Sequence, residues 1–548
     1  MSKIMFLLPV FVFVLSACGH KEVVLPETPG IYDLATPVRL NPDTTKILLS
    51  DYFLFPEKVK KVKAPAGLKA VWSHDRKELV LIREGKVEPM DNLRLTYEGH
   101  VYDIPVINST KKAVGFSFDP KGKNYRTVQL AGDMNAWNPA NTHLVNDNGI
   151  WKTTLYLSPG QYQYLLVLDG RKVLDPGNKK RIDNNMGGFN SLLQIEGEAD
   201  KAPEIYTDVV KGDTIWLKSR NPVKKWLVYL QNHRLGEHYF IRRADSMGIL
   251  IPEAATRVRR SEMRVWAINE FGVSNDIFIP LEYGKVILDA SLLNRFDKRA
   301  SVLYFLMIDR FNDSIPDNNH PLNTKEVLPI ADYMGGDLAG VTQKLKEGYF
   351  DSLGINTIWL SPVTQNPEGA FGLWKKPRTK FSGYHGYWPV SSSKVDYRYG
   401  TSDELKELVE EAHKRNINVI LDYVANHVHR LHPLYQQHKD WATDLYLPDG
   451  TLNTERWDEY RLTTWFDSFL PTLDLQRPEV YEPMTDSALF WIKEYNLDGF
   501  RHDATKHIPE IFWRTLTHKL KRDIMFPKKI TIYQVGETYG SRELIASY

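Results

Sequence analysis

Two rhythms of apolar residues divide the chain. From about residue 35 to 285 the period is two. Leu93, Leu95 and Tyr97 alternate with Arg94, Thr96 and Glu98, and Met263, Val265 and Ala267 alternate with Arg264, Trp266 and Ile268. That is the period of half-buried strands, and Asn269-Glu270-Phe271-Gly272 supplies a turn. Proline and glycine recur at spacings that suit small sandwiches. After about Asn294 strands alternate with helices. Leu303 to Ile308, Asn356 to Leu360, Val419 to Leu421, Gly499 to Asp503 and Ile530 to Val535 read as five strands. Val341, Leu345, Tyr349 and Leu353 predict one helix face, and Thr401 with Glu404 a capping box ahead of Leu405, Leu408, Val409 and Ala412. Met484, Ala488, Trp491 and Tyr495, then Ile508, Ile511, Phe512 and Leu516, predict two more. Repeated strand–helix units imply a parallel sheet, open or closed into a barrel.

The expected organisation is therefore multidomain: β-rich modules over 35–110, 111–198 and 203–285, then a strand–helix unit over 296–548. Composition agrees, with 42% hydrophobic and 25% charged residues, the balance of a folded protein rather than a disordered or multi-span one. A formal charge of +2 without a basic block argues against a nucleic-acid partner. The single cysteine excludes an intrachain disulfide and a cysteine zinc cluster.

That cysteine is Cys18. Lys3 precedes the short apolar run Ile4 to Leu15, and Leu15-Ser16-Ala17-Cys18 follows. The run is short for a membrane span. The segment resembles the lipobox of bacterial lipoprotein signal peptides, which implies a signal peptide over 1–18, a linker over 19–34 and a lipid on Cys18. Gly19-His20-Lys21-Glu22 lacks an aspartate of the inner-membrane retention kind. The expectation is an outer-membrane lipoprotein on the periplasmic or cell-surface side, held to the membrane through its lipid.

In the middle module, Ala131-Gly132-Asp133-Met134-Asn135-Ala136-Trp137-Asn138-Pro139 precedes Gly149-Ile150-Trp151 and Pro159-Gly160-Gln161-Tyr162-Gln163-Tyr164. This order resembles the early-set, glycogen-binding type of carbohydrate module. An exposed Trp137 would cover a glucose face. A second binding tryptophan would fall near Arg171 or Lys172 and is lacking, so a structural spacer with Trp137 and Trp151 in or near its core stands equally.

The chemistry gathers after the later strands. Asp422-Tyr423-Val424-Ala425-Asn426-His427 follows the third, Arg501-His502-Asp503 the fourth, and Gly536-Glu537 the fifth. Barrel enzymes place catalytic groups at these C-terminal ends. Arg501 and Asp503, two apart, share a side of the strand, where the cation is expected to keep the carboxylate ionised. Glu537 supplies a second carboxyl. A carboxyl pair about 5–5.5 Å apart performs retaining glycoside hydrolysis.

Together these motifs resemble the α-amylase superfamily, glycoside hydrolase family 13 in its amylase and neopullulanase-like branches. The resemblance implies N-terminal β-sandwich modules followed by a (β/α)8 TIM barrel, Asp503 as nucleophile and Glu537 as general acid/base. It implies substrate binding by Arg501, which holds the nucleophile, and by His427. In Gly383-Tyr384-His385-Gly386-Tyr387-Trp388, Tyr387 would stack under the sugar and His385 would contact it. Lys506 and His507 resemble residues on the leaving-group side. Asp422 is expected to orient Arg501 rather than react. Asp313, Asn318, Asn319, Gly335 and Asp337 resemble a neopullulanase-type calcium loop, with Ile315 where an aspartate is common. Asn426 resembles a ligand of the other amylase calcium, with Thr472 where that site would use an aspartate.

The function implied is retaining hydrolysis of α-glucans (starch, maltodextrins, pullulan or cyclodextrins) at α-1,4 bonds. A non-catalytic surface glucan-binding lipoprotein and an α-glucan transglycosylase are the alternatives. A complete barrel takes about 250 residues, close to the stretch from Ser301 to Tyr548. Yet Glu537 belongs to strand five of such a barrel, with eleven residues after it. The barrel is thus expected to be incomplete, lacking strands six to eight and the third catalytic acid, and this chain alone is expected to be inactive.

Overall fold

The computed structural model describes residues 23–185, 187–243 and 246–548. Cys18 lies outside them. Among the described residues no helix is long and apolar enough to cross a membrane.

The N-terminal half is built from pairs of sheets closing on shared cores. The sheet of Val38–Arg39, His100–Ile107, Met90–Tyr97 and Val59–Lys63 faces that of Thr44–Leu48, Glu78–Arg83 and Leu68–Trp72. The alternating Leu93 and Leu95 meet Leu79 and Leu81 between them. Next, Lys112–Phe118 and Ile150–Leu157 pack over Val128–Gly132, Gly160–Leu168 and Phe189–Ile195, with Trp151 in that core. The third pair joins Leu217 and Ile249 from one sheet to Val228, Val265 and Ile279 from the other. Met90 and Ile107 of the first pair pack on Leu227, Tyr229, Trp266 and Ile268 of the third, so these two share an apolar seam. Trp266, on the opposite face of its strand from Val265, is buried by that seam rather than exposed.

From residue 303 five parallel strands pair in chain order: Leu303–Leu306, Thr357–Leu360, Asn418–Tyr423, Gly499–His502 and Tyr533–Gly536. Chain-order pairing is the arrangement of a barrel wall; a doubly wound sheet reverses its order partway. The helices Leu338–Lys346, Ser402–Lys414, Pro478–Tyr495 and Glu510–Leu520 cover the outside and share one core with the strands. The capping box at Thr401 and Glu404 forms, each side chain bonding the other's backbone N–H.

One predicted helix face breaks. Leu338–Lys346 ends before Gly348, whose φ of 75° is left-handed, and a separate turn, Tyr349–Ser352, follows. Tyr349 and Leu353 are consequently 37% and 50% exposed instead of continuing the face of Val341 and Leu345. Ile511 likewise turns outward at 41% exposure, while Phe512 and Leu516 face the core.

Candidate active site

Three adjacent strands deliver three carboxyl groups to one guanidinium. Asp422 lies within the third strand, and Asp503 and Glu537 lie just past the ends of the fourth and fifth. The parallel ladder runs on beyond the strands: Asp503 N–H donates to Tyr423 O at 3.0 Å and Glu537 N–H to His502 O at 2.9 Å. Arg501 Nη1 donates to Asp422 Oδ1 at 2.7 Å and to Asp503 Oδ1 at 3.0 Å. Its Nη2 pairs with Glu537 Oε2 at 2.8 Å, and Ala504 N–H donates to the same oxygen at 3.2 Å.

Asp422 is the most enclosed of the three. Tyr387 Oη donates to its Oδ2 at 2.8 Å and Trp359 Nε1 at 3.1 Å. Three donors on one carboxylate make it a brace for Arg501. Burial pushes its pKa above the ordinary carboxylate value against the pull of Arg501. For Asp503, burial, with Asp422 as the next cause, pushes the carboxyl up to about 7 against the pull of Arg501. Arg501 itself stays charged: burial works against it, but Asp422 and Asp503 raise it above its ordinary value.

The Gly383–Trp388 segment is set beside this cluster by local bonds. Gly386 has a φ of 88°, and a Cβ there would stand 2.3 Å from Pro362 O. Trp388 N–H donates to Asn366 Oδ1 at 2.9 Å. His427 Nε2 donates to Tyr387 O at 3.0 Å, and Tyr387 N–H donates to His385 Nδ1 at 3.0 Å, which makes the His385 imidazole neutral. Burial lowers His427 to about 4 and His385 to about 3. The two rings of His385 and Tyr387 stack at 5.7 Å.

Lys506 and His507 follow Asp503 in the short helical turn Thr505–His507. Lys506 Nζ reaches Asp458 Oδ1 at 3.1 Å and lies 3.7 Å from the centre of the Tyr539 ring. His507 Nδ1 donates to Arg461 O at 2.6 Å, while its buried Nε2 has no partner among the described residues. Trp457 and Phe466 stack at 4.7 Å and both meet the His507 ring edge-on. Sequence reasoning missed Trp359, Trp457, Asp458, Phe466 and Tyr539. Of these only Trp359 lay within a predicted strand, Asn356 to Leu360.

The oxygen-rich loops form a separate site. Asn319 Nδ2 donates to Asp313 Oδ2 at 2.7 Å, and a Cβ on Gly335 would stand 2.2 Å from Asn319 Oδ1. The Oδ1 atoms of Asn318 and Asn319 are buried without a partner among the described residues. Asp337 has a structural duty as well. As the N-cap of Leu338–Lys346 it takes Gly340 N–H on Oδ1 and Ser314 and Ile315 N–H on Oδ2. Both of its oxygens therefore serve the backbone. Asn426 Oδ1 is also buried and unpartnered among the described residues, next to Thr472.

In the middle module, Trp151 is buried and Trp137 half-buried, its Nε1 donating to Asp133 Oδ1 at 3.1 Å. Lys172, at the place the resemblance gives to a second sugar-binding tryptophan, pairs with Glu459 at 3.2 Å.

Residues 305–534 match the family model for the alpha amylase catalytic domain, which includes Asp503 and stops just before Glu537. Alpha-amylase 2 of Dictyoglomus thermophilum is 30% identical over 242 residues, covering 43% of this chain and 37% of its own length. The intracellular maltogenic amylase of Bacillus subtilis is 27% identical over 258 residues, covering 45% and 39%. An alpha-amylase of Geobacillus thermoleovorans, solved with acarbose, is 35% identical at a TM-score of 0.34, covering 44% of this chain and 47% of that one. The chain thus spans 37–39% of the length of these two curated relatives.

Proposed function

We propose that this chain, whose residues 305–534 match the alpha-amylase catalytic domain, belongs to a retaining glycoside hydrolase of α-glucans that cleaves α-1,4 bonds. The observation that carries it is the Arg501 guanidinium joining Asp422, Asp503 and Glu537 across three neighbouring strand ends. Asp503 attacks the anomeric carbon as the glycosidic C–O bond breaks, and Glu537 gives its proton to the departing oxygen. A water then replaces the Asp503 ester, passing a proton back to Glu537. His385, Tyr387 and His427 line the cleaved sugar's side, and the unpaired His507 Nε2 and Lys506 the leaving-group side. The relatives named for amylase and maltogenic amylase activity support starch and maltodextrins as the first substrates to test, with pullulan and cyclodextrins beside them.

The test is reducing-sugar release from these four by the protein of the complete reading frame, with anomeric configuration followed by NMR. Release with retention is expected; no release from any of them overturns the reading.

The reading extends to a calcium ion held by Asp313, Asn318, Asn319 and the Gly335 carbonyl. The two orphaned amide oxygens beside a carboxylate are the hard donors calcium takes. Its role is to tie two loops together. Millimolar calcium should raise Tm by several degrees over a chelator-treated sample, and Asp313→Ala should remove that gain. An unchanged Tm sinks the site.

A lipid on Cys18 completes the picture, tethering the protein to the outer membrane. Cys18→Ser is expected to move it from the detergent phase to the aqueous phase in a partition assay. Unaltered partitioning excludes the anchor.

A further inference from the structure

An indole stands exposed on a hairpin rooted in the aromatic cluster around Trp388 and Phe469. The hairpin pairs Phe371–Lys375 with Arg378–Phe381. At its base, the Phe371 ring lies 4.4 Å from His429, 5.2 Å from Phe469 and 6.1 Å edge-on from Trp388. Trp388 is in turn 4.5 Å from His385, and Tyr387 packs on the same cluster. At the other end of the strand Trp374 is 59% exposed and Leu373 52%.

Scattered exposed apolar residues are ordinary, but three features set this one apart. Trp374 Nε1 donates to Lys376 O at 2.8 Å, so its polar edge is used within the hairpin and the ring is held in place. The strand register shifts between Phe371 and Trp374, and Gly372 between them has a φ of 66°. Such irregularities re-aim a side chain. The base of the same hairpin, at Phe371, joins through Trp388 the rings beside the proposed catalytic carboxylates. Lys375, Lys376 and Arg378, its neighbours along the hairpin, are exposed hydrogen-bond donors.

We propose that Trp374 is a platform for a distal glucose unit of an α-glucan chain whose other end occupies the Asp503 site. This rests on the function read above. An indole face offers a pyranose its apolar contact, and a ring already fixed loses little freedom on binding. Short oligosaccharides end before the hairpin, and long chains reach it.

The experiment uses the complete protein and soluble starch as probe, with maltotriose as the short comparison. In an Asp503→Asn background, which leaves the polymer intact, Trp374→Ala is expected to weaken starch binding in affinity electrophoresis by roughly tenfold. Trp374→Phe should lose less. With Asp503 intact, maltotriose hydrolysis and Tm should match the parent. Unchanged starch affinity, in a parent that binds and cleaves starch, overturns this proposal alone. An equal loss on maltotriose also overturns it, because the platform would then not be distal. A parent that neither binds nor cleaves any α-glucan overturns the function reading and this proposal with it.

Discussion

Asp503→Asn is expected to lower turnover on α-glucans by a factor on the order of a thousand or more, with the fold retained. The amide fits the same space and keeps an oxygen for Arg501 Nη1, but it cannot form the glycosyl ester. The native residue also sets the pH profile. With its carboxyl pushed up to about 7, the ionised nucleophile is lost as the pH falls through that value, so kcat/KM of the parent should fall on the acid side with an apparent pKa near 7. The sign for stability is opposite. The folded state binds the Asp503 proton more tightly than the unfolded chain does, so this group's contribution is fully present below about pH 4 and is lost as the pH rises through about 7. Asp503→Asn lacks that loss. Its Tm should therefore gain on the parent's between pH 5 and 8, as measured by calorimetry, while its activity is gone. A variant that turns over at the parent rate refutes the nucleophile assignment. A parent whose acid limb lies near pH 4 refutes the shared-cation account of Asp503.

What was legible in the sequence is what strand periodicity and strand order govern. Arg501 and Asp503 are two residues apart at a strand end, and they meet through one nitrogen. Asp422 was expected to brace Arg501, and it takes donors from Tyr387 and Trp359 besides. Periodicity left the sheet open or closed; the pairing of the five strands in chain order adds what one-dimensional spacing does not contain. The helix face through Tyr349 failed because four-residue spacing carries no account of a left-handed glycine at 348. Asp458, Trp457 and Phe466 were invisible because they arrive on a loop without period, and only the tertiary fold brings them to Lys506 and His507. Asp337 shows another limit: an acidic residue in an oxygen-rich loop looks the same in sequence whether it binds a cation or caps a helix, and here three backbone N–H groups claim it. Three carboxylates compete for Arg501: Asp503, Asp422, which the sequence reading already set beside it, and Glu537.

That competition makes Arg501 the residue whose loss should disturb the site most. Asp422 has a fully buried side chain and Asp503 is nearly as enclosed, so removing the guanidinium strands two carboxyl groups away from water. Breaking a buried pair on one side typically costs about 3–5 kcal/mol, more than the pair itself contributes, since the remaining charge has neither partner nor solvent. Arg501→Leu should therefore lose on the order of 3–5 kcal/mol at pH 8 in denaturant titration. The deficit should shrink as the pH falls, because protonating Asp422 and Asp503 removes the stranded charge. Adding Asp422→Asn should return part of the loss, a positive coupling that independent sites would not show. Activity follows a different course. Without the cation Asp503 holds its proton more tightly still, so the acid limb of kcat/KM should move above pH 7 and little turnover should remain. Arg501→Lys separates the two effects. An ammonium restores charge, and with it part of the stability, but it lacks the fixed fork that reaches Asp422 and Asp503 from one nitrogen and Glu537 from the other. Its turnover should stay far below the parent's. If Arg501→Leu keeps both the parent's stability at pH 8 and its acid limb, then the guanidinium is not what holds the three carboxylates in register. The catalytic assignment of Asp503 and Glu537 would then need another source of order.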